Sequence, residues 1–479
     1  MTILFMKKKY QLERFFVTWL MILFMILTDA FTAFAQVKQA TVLVNGISCD
    51  LEQGILKVEF VTPDVVRVQY TGENTFMGNG TDVCLSRTVD NPVRWVYTPN
   101  PDCYLLKSDS LIVRVDLSTA SITYLDKEGR LLLQEDQNIP RISEKRVTKQ
   151  VIYDEHSKHI EKTADGDKEI KNVLRYDIIG HTWKYRINFK WQPLEALYGW
   201  GAHMEDYMNL RGKELYLCQH NLKAMVPVLN STAGYGLLFD AGCAMMFKDN
   251  SEGSFVELEA AKQIDYYFMK GKTMDAVVAN YRLLTGNSPM MPLYLFGYIQ
   301  SKERYVSSDD LINTLKEYRQ RQIPIDMIVQ DWNYWPEGQW GNMSMNPKFY
   351  PDKRKLADEI HSLHAKLMIS IWPNAMNCPQ HEEFKRKGWL LSGTSVYDAF
   401  NPLARKLYWN YANNEFFGNG FDAWWCDASE PLDADWTFMK DGYGADNHRQ
   451  RWELNTNLLN SVLGAERSQL YSLYHAKGI

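Results

Sequence analysis

Phe421-Asp422-Ala423-Trp424-Trp425-Cys426-Asp427, followed by Ala428-Ser429-Glu430-Pro431, decides how the second half of this chain reads. It is a short aromatic strand that stops at a carboxylate. Two further apolar runs upstream also end in charged or aromatic residues. Residues 325–331 run apolar and end at Asp331-Trp332, and residues 366–372 end at Trp372-Pro373. Helical patterns separate these strands. Ser307 with Asp310 starts one that carries Leu311, Leu315 and Tyr318 on one face. Pro351 opens a second with Leu356, Ile360 and Leu363, and Asn401-Pro402 opens a third that Gly418 and Gly420 close. Residues 293–300 read as a first buried strand. Strand and helix in alternation predict a parallel α/β sheet whose active groups gather at the strands' C-terminal ends.

Upstream the texture differs. Short apolar runs at 40–44, 56–60, 65–70, 111–115 and 121–125, with turn punctuation such as Asn79-Gly80, predict a β-sandwich over 36–272. The charged stretch 142–176 reads as an exposed hairpin or loop. A helix at 273–285, within a linker over 273–292, leads into the α/β part at 293–479. Residues 1–35 read as an export signal: Lys7, Lys8, Lys9 and Arg14, an apolar run at 15–27, then Ala33-Phe34-Ala35. That run is too short to span a bilayer, which predicts a secreted or periplasmic product with no membrane association after cleavage.

Composition narrows the partners. The 479 residues suggest roughly three units at about 150 residues each. Hydrophobic residues at 46% and charged residues at 23% exclude a disordered chain or a small disulfide scaffold. A net charge of −5 offers no large positive field for nucleic acid. Seven cysteines lack CxxC or zinc-ligand spacing, so neither structural zinc nor a disulfide framework is expected. The 15 Trp, 27 Tyr and 21 Phe suit sugar faces and suit ordinary cores equally. His203 and His220 read as unassigned surface or loop residues.

A carboxylate at a strand end, flanked by Trp, suits a nucleophile that meets a sugar ring. In retaining glycoside hydrolysis one carboxylate attacks and a second acid protonates the leaving oxygen. Asp427 is the candidate nucleophile. Asp331 reads as either a turn residue or a site residue, and Trp372 and Trp425 as either rim packing or site lining. Glu430 lies too near Asp427 in sequence to flank the bond from the other side, so a supporting role suits it better.

Further motifs occur in order: Leu197-Tyr198-Gly199-Trp200-Gly201, Asn209-Leu210-Arg211-Gly212, Ser231-Thr232 with Gly234-Tyr235-Gly236, Ile323-Pro324-Ile325-Asp326, and Phe349-Tyr350-Pro351-Asp352. With Trp425 to Pro431 they resemble glycoside hydrolase family 31, the retaining α-xylosidases and α-glucosidases. The resemblance implies a galactose-mutarotase-like sandwich and a (β/α)8 TIM barrel. It puts Asp427 at the nucleophile position, Asp331 where sugar hydroxyls are held, Trp332, Trp372 and Trp425 at subsite walls, and Glu430 in support. It implies an oligosaccharide substrate and no cofactor. The Asp-Ala-Ser-Glu-Pro form resembles the α-xylosidase branches, with α-glucosidase as the alternative. Only about four βα units are legible, an incomplete barrel. The family's acid/base Asp lies on a later strand, and Asp433, Asp435, Asp441, Asp446, Glu453 and Glu466 do not match it. An exposed fourth-strand edge and poor solubility follow from that reading. A catalytically inactive carbohydrate-binding remnant and a sugar epimerase are the readings from other classes.

Overall fold

The computed structural model describes residues 36–76, 82–85, 92–163, 166–170, 172–432 and 448–479. Residues 1–35, read above as an export signal, Asn79-Gly80 and the acids Asp433, Asp435, Asp441 and Asp446 lie outside them.

Two antiparallel sheets face each other in the first half. One runs Val37–Val42, Gly46–Leu51, Ile55–Thr62, Val65–Thr71, Ile264–Lys270, Tyr235–Phe239, Ala224–Ser231, Leu197–Ala202 in spatial order. The other extends from Glu214–Leu217 through Val173–Lys190 and Leu111–Asp116 to Trp95–Pro99. Alternating apolar residues of both sheets form one core. Tyr124 of the second sheet stacks on Phe268 of the first, with ring centroids 3.9 Å apart. Its hydroxyl meets that of Tyr266, which donates to the buried Glu135 at 2.9 Å. The sandwich predicted from strand spacing is therefore present.

Val65–Thr71 is buried at every position, which one covered face cannot explain. The helix Met274–Thr285 supplies the second cover. Thr273 caps it by accepting from the Ala276 N–H, and its Val277 and Leu284 pack on Val65, Tyr267 and Met269. The same outer face holds a buried polar group. Asp265 accepts from Arg67 Nε at 2.9 Å and from Gln69 Nε2 at 2.9 Å.

The charged stretch forms a long ribbon. Arg141–Tyr153 pairs antiparallel with Val173–Lys190, from Arg141↔Ile187 to Tyr153↔Val173.

Among the described residues of the second half, four parallel strands lie in sequence order: Ile299–Gln300, Met327–Gln330, Lys366–Ile371 and Ala423–Cys426. Ser307 Oγ accepts from the Asp310 N–H at 3.1 Å and starts the helix Ser308–Gln320. Asp352 caps Lys353–Ser362, and Asn401 caps Pro402–Glu415. These helices cover one face of the sheet through Leu311, Leu315, Leu356, Ile360 and Tyr408.

The first strand departs from its prediction. Leu293–Phe296 is a 3-10 turn after Pro292, with Leu293 87% and Phe296 74% exposed. Only Ile299 and Gln300 find ladder partners, on Met327 and Ile328. An apolar run alone does not separate strand from helical turn. A further helix, Pro379–Arg386, interrupts the connection after the third strand. The helices His448–Leu463 and Tyr471–Gly478 follow the described end of the fourth-strand loop.

Asp265→Ala strips Arg67 of its buried counter-charge. Urea denaturation should show a loss of about 3–5 kcal/mol, while Asp50→Ala, which removes a surface contact to Gln39, should change stability little.

Candidate active site

Strand parity assembles the site. Successive side chains alternate between the two faces of a strand. Ile328, Leu367, Ile369 and Ile371 point into the helix-covered core. Met327, Val329 and Met368 form a separate small cluster with Ile299 and Ala423 on the opposite face. Counting by twos toward the C-terminal ends, this second face next carries Asp331, Ser370 and Trp425, and then Trp372 and Asp427.

The register sets their levels. Val329 pairs with Met368 and Met368 with Ala423, while Ser370 lies beside Trp425. Asp331, one step beyond Gln330↔Ile369, is level with that last row. Asp427 sits one layer higher, beside Trp372. The second and fourth strands are two spacings apart, so roughly 10 Å of backbone separation divides the two carboxylates.

The ladder holds Asp427 in place. Its N–H donates to Ile371 O at 3.0 Å, one residue past Cys426, where the strand ends. The chain then turns at Ala428, whose φ of +50° is left-handed, and the Ala428 N–H donates to Asp427 Oδ1 at 3.0 Å. A strained non-glycine residue beside a candidate acid is a pattern of functional sites. Asp331 is built alike. The Trp332 N–H donates to its Oδ1 at 2.8 Å, and Asn333 has φ +58°. Partial burial raises the Asp331 pKa, the Trp332 hydrogen bond opposes the rise, and the nearby Glu303 charge adds to it.

A wall of indoles stands beside the acids. Trp332, Trp335, Trp340 and Trp372 contact one another with centroids 5.3 to 6.5 Å apart. Trp372 is anchored at both ends. Its Nε1 donates to Ser370 Oγ at 3.0 Å, and its carbonyl accepts from Tyr408 OH at 3.0 Å. Arg304 lies 5.2 Å over the Trp332 ring. On the helix side, Gln330 Nε2 donates to Tyr305 O at 3.1 Å and ties down the loop after the first strand.

The structure thus brings Asp331, Trp332, Trp372, Trp425 and Asp427 to one edge of the sheet. Trp425 is 49% exposed on the open face, unlike Trp424, which packs on Trp409 and Phe416. Glu430 is half-buried in the following loop. Trp335, Trp340, Ser370 and Arg304 were not singled out from sequence, although the aromatic run after Asp331 was a usable signal. Glu453 pairs with Arg449 along its own helix, and Glu466 faces Lys262 of the sandwich.

His203 and His220 lie in connections between strands, as read, but neither side chain is at the surface. His220 is buried, and His203 Nδ1 lies 3.6 Å from the buried Glu205, which also pairs with Lys223. Burial lowers the His220 pKa to about 4. Among the described residues no group of three or more His, Cys, Asp or Glu could hold a metal ion, and no helix is long and apolar enough to cross a membrane. A hollow of about 340 Å³ beside Glu195 and Thr232 lies in the sandwich, away from these acids.

Two family models match the chain. The glycosyl hydrolases family 31 TIM-barrel domain matches residues 288–479, and the family's N-terminal galactose mutarotase-like domain matches 55–247. The chain belongs to glycoside hydrolase family 31. It is 29% identical over 387 residues to an α-xylosidase of Saccharolobus solfataricus, covering 78% of this chain and 48% of that protein. It is 29% identical over 270 residues to an uncharacterized family 31 glucosidase of Pseudescherichia vulneris, covering 53% and 50%. A family 31 α-xylosidase from a soil metagenome, solved with xylose, shares the fold with a TM-score of 0.72 at 21% identity, over 92% of this chain and 62% of that one. The family 31 chain described here spans about half the length of the curated relatives it matches.

Glu303→Gln removes a negative charge that raises the Asp331 pKa. In a carboxylate NMR titration the Asp331 midpoint should move to lower pH, with Asp422, paired to Lys366 and His361, unmoved.

Proposed function

We propose that this chain carries the nucleophile-bearing part of a retaining α-glycosidase that removes terminal α-linked sugars from oligosaccharides, with α-xylosidase as the leading specificity. The observation that carries the reading is Asp427 on the same sheet face as Asp331, one layer higher and two strands away. A sugar ring lodged between them meets Asp427 at its anomeric carbon and Asp331 at its hydroxyls. Asp427 forms the new bond as the glycosidic C–O bond breaks, and water later hydrolyses the resulting ester. The leaving oxygen takes its proton from a second carboxylic acid, which the family pattern puts on a later strand. The indole wall supplies the apolar face that sugar C–H groups pack on, and Glu430 supports the nucleophile's loop.

The α-xylosidase name of the relative from Saccharolobus favours xylosyl over glucosyl substrates, and the glucosidase from Pseudescherichia keeps the second specificity in view. On this reading the four strands are the first units of a (β/α)8 barrel, no cofactor takes part, and residues 1–35 direct export.

An activated fluoro-glycoside has a leaving group that needs no proton, so it reports on the nucleophile alone. Intact-mass measurement should show one added glycosyl unit, and peptide mapping should place it on Asp427. Asp427→Asn should abolish the label; a label on another carboxylate sinks the assignment.

Aryl α-xyloside should be cleaved with a higher kcat/KM than aryl α-glucoside. A clear glucoside preference reverses the choice of sugar.

A further inference from the structure

The ribbon formed by Arg141–Tyr153 and Val173–Lys190 lies outside the sugar site described above. Near the sandwich it is part of a sheet, because Trp183 to Asn188 also pair with Gly253–Ala261. Beyond Trp183 the strand continues from Thr182 to Val173 with a ladder on one side only. Among the described residues nothing pairs with its other edge. The free edge runs roughly 30 Å. An isolated two-stranded ribbon is marginal in water, and a free edge is a template for another strand.

This edge is also apolar. Val173, Leu174, Tyr176, Ile178 and Ile179 are all exposed, from 46% at Val173 to 69% at Ile178. The order of residue types identifies the occupant. About Tyr176 the sequence is self-complementary when read antiparallel. Arg175 then falls opposite Asp177 of a second copy, Leu174 opposite Ile178, and Val173 opposite Ile179. Within one chain Arg175 Nε already donates to Asp177 Oδ1 at 2.9 Å, so the two charges share a face. Bulges at Leu174 and Ile179 leave Arg175, Tyr176, Asp177 and Ile178 as the regular run, and this run holds both charges.

We propose that the chain forms a two-fold homodimer through antiparallel pairing of this edge, centred on Tyr176. An isologous contact of this kind uses one patch twice. Each dimer gains two Arg175–Asp177 cross-strand pairs, and pairs of this type stabilise a sheet where like charges destabilise it.

Sedimentation equilibrium on the whole chain at low salt tests this. The wild type should be dimeric at micromolar concentration and weaken with added salt. Arg175→Asp places acids opposite acids, and Asp177→Arg places bases opposite bases. Each should weaken self-association by about ten-fold or more, with circular dichroism unchanged. A mixture of the two variants should form a heterodimer. That recovery separates pairing between copies from loss of the contact within one chain. A monomeric wild type, a dimer indifferent to both substitutions, or a mixture that stays monomeric each overturns the proposal.

Discussion

The parallel register between Lys366–Ile371 and Ala423–Cys426 is the constraint on which the site rests. It sets Ser370 beside Trp425 and extends through the Asp427 N–H to Ile371 O. A slip of one residue would turn Asp427 toward the helices and Trp424 toward the open face. Apolar packing guards against that slip. On the fourth strand Trp424 packs on Trp409 and Phe416 on the helix side, and a shifted register would carry it to the open face. The helix-side core therefore fixes which side chains reach the opposite face.

The polar groups beside this face follow from the same order. Ser370 is fully buried, yet its hydroxyl has a partner because Trp372, two residues on, returns its indole N–H. Tyr334 OH donates to Ser370 O at 2.8 Å. The loop after the second strand is thereby pinned to the third strand, and Trp335 and Trp340 are carried to Trp372. A wall built in this way is in place before any ligand arrives, which lowers the ordering cost of binding.

Much of this was legible in the sequence. The second, third and fourth strands were visible because each is an apolar run closed by a charged or aromatic residue, and their order follows from the helices between them. Ser307, Asn401 and Pro402 marked helix starts because their chemistry at a cap is local. The first strand misled because residues 293–298 are apolar without being ladder-paired. The helix Pro379–Arg386 is short and strongly polar, with Phe384 as its one buried apolar side chain, so it left no apolar stripe to read. His203 and His220 sit in irregular connections with no apolar periodicity to report burial, although their neighbours Glu205 and Lys223 lie only two and three residues on. Trp340 reaches the wall through a loop, and no periodicity predicts that meeting.

The helices His448–Leu463 and Tyr471–Gly478, with the turn between them, join the sandwich to the α/β part. Leu459, Leu463 and Tyr471 belong to the core of the α/β part. Gln469 accepts from the Gln219 N–H at 2.6 Å, and Trp452 Nε1 reaches Leu217 O at 3.4 Å, both in the sandwich. Tyr474 donates to Asp82. These contacts span more than two hundred residues of chain. During synthesis the sandwich leaves the ribosome long before these two helices do, so the contacts that clasp it to the α/β part form only after both have been made.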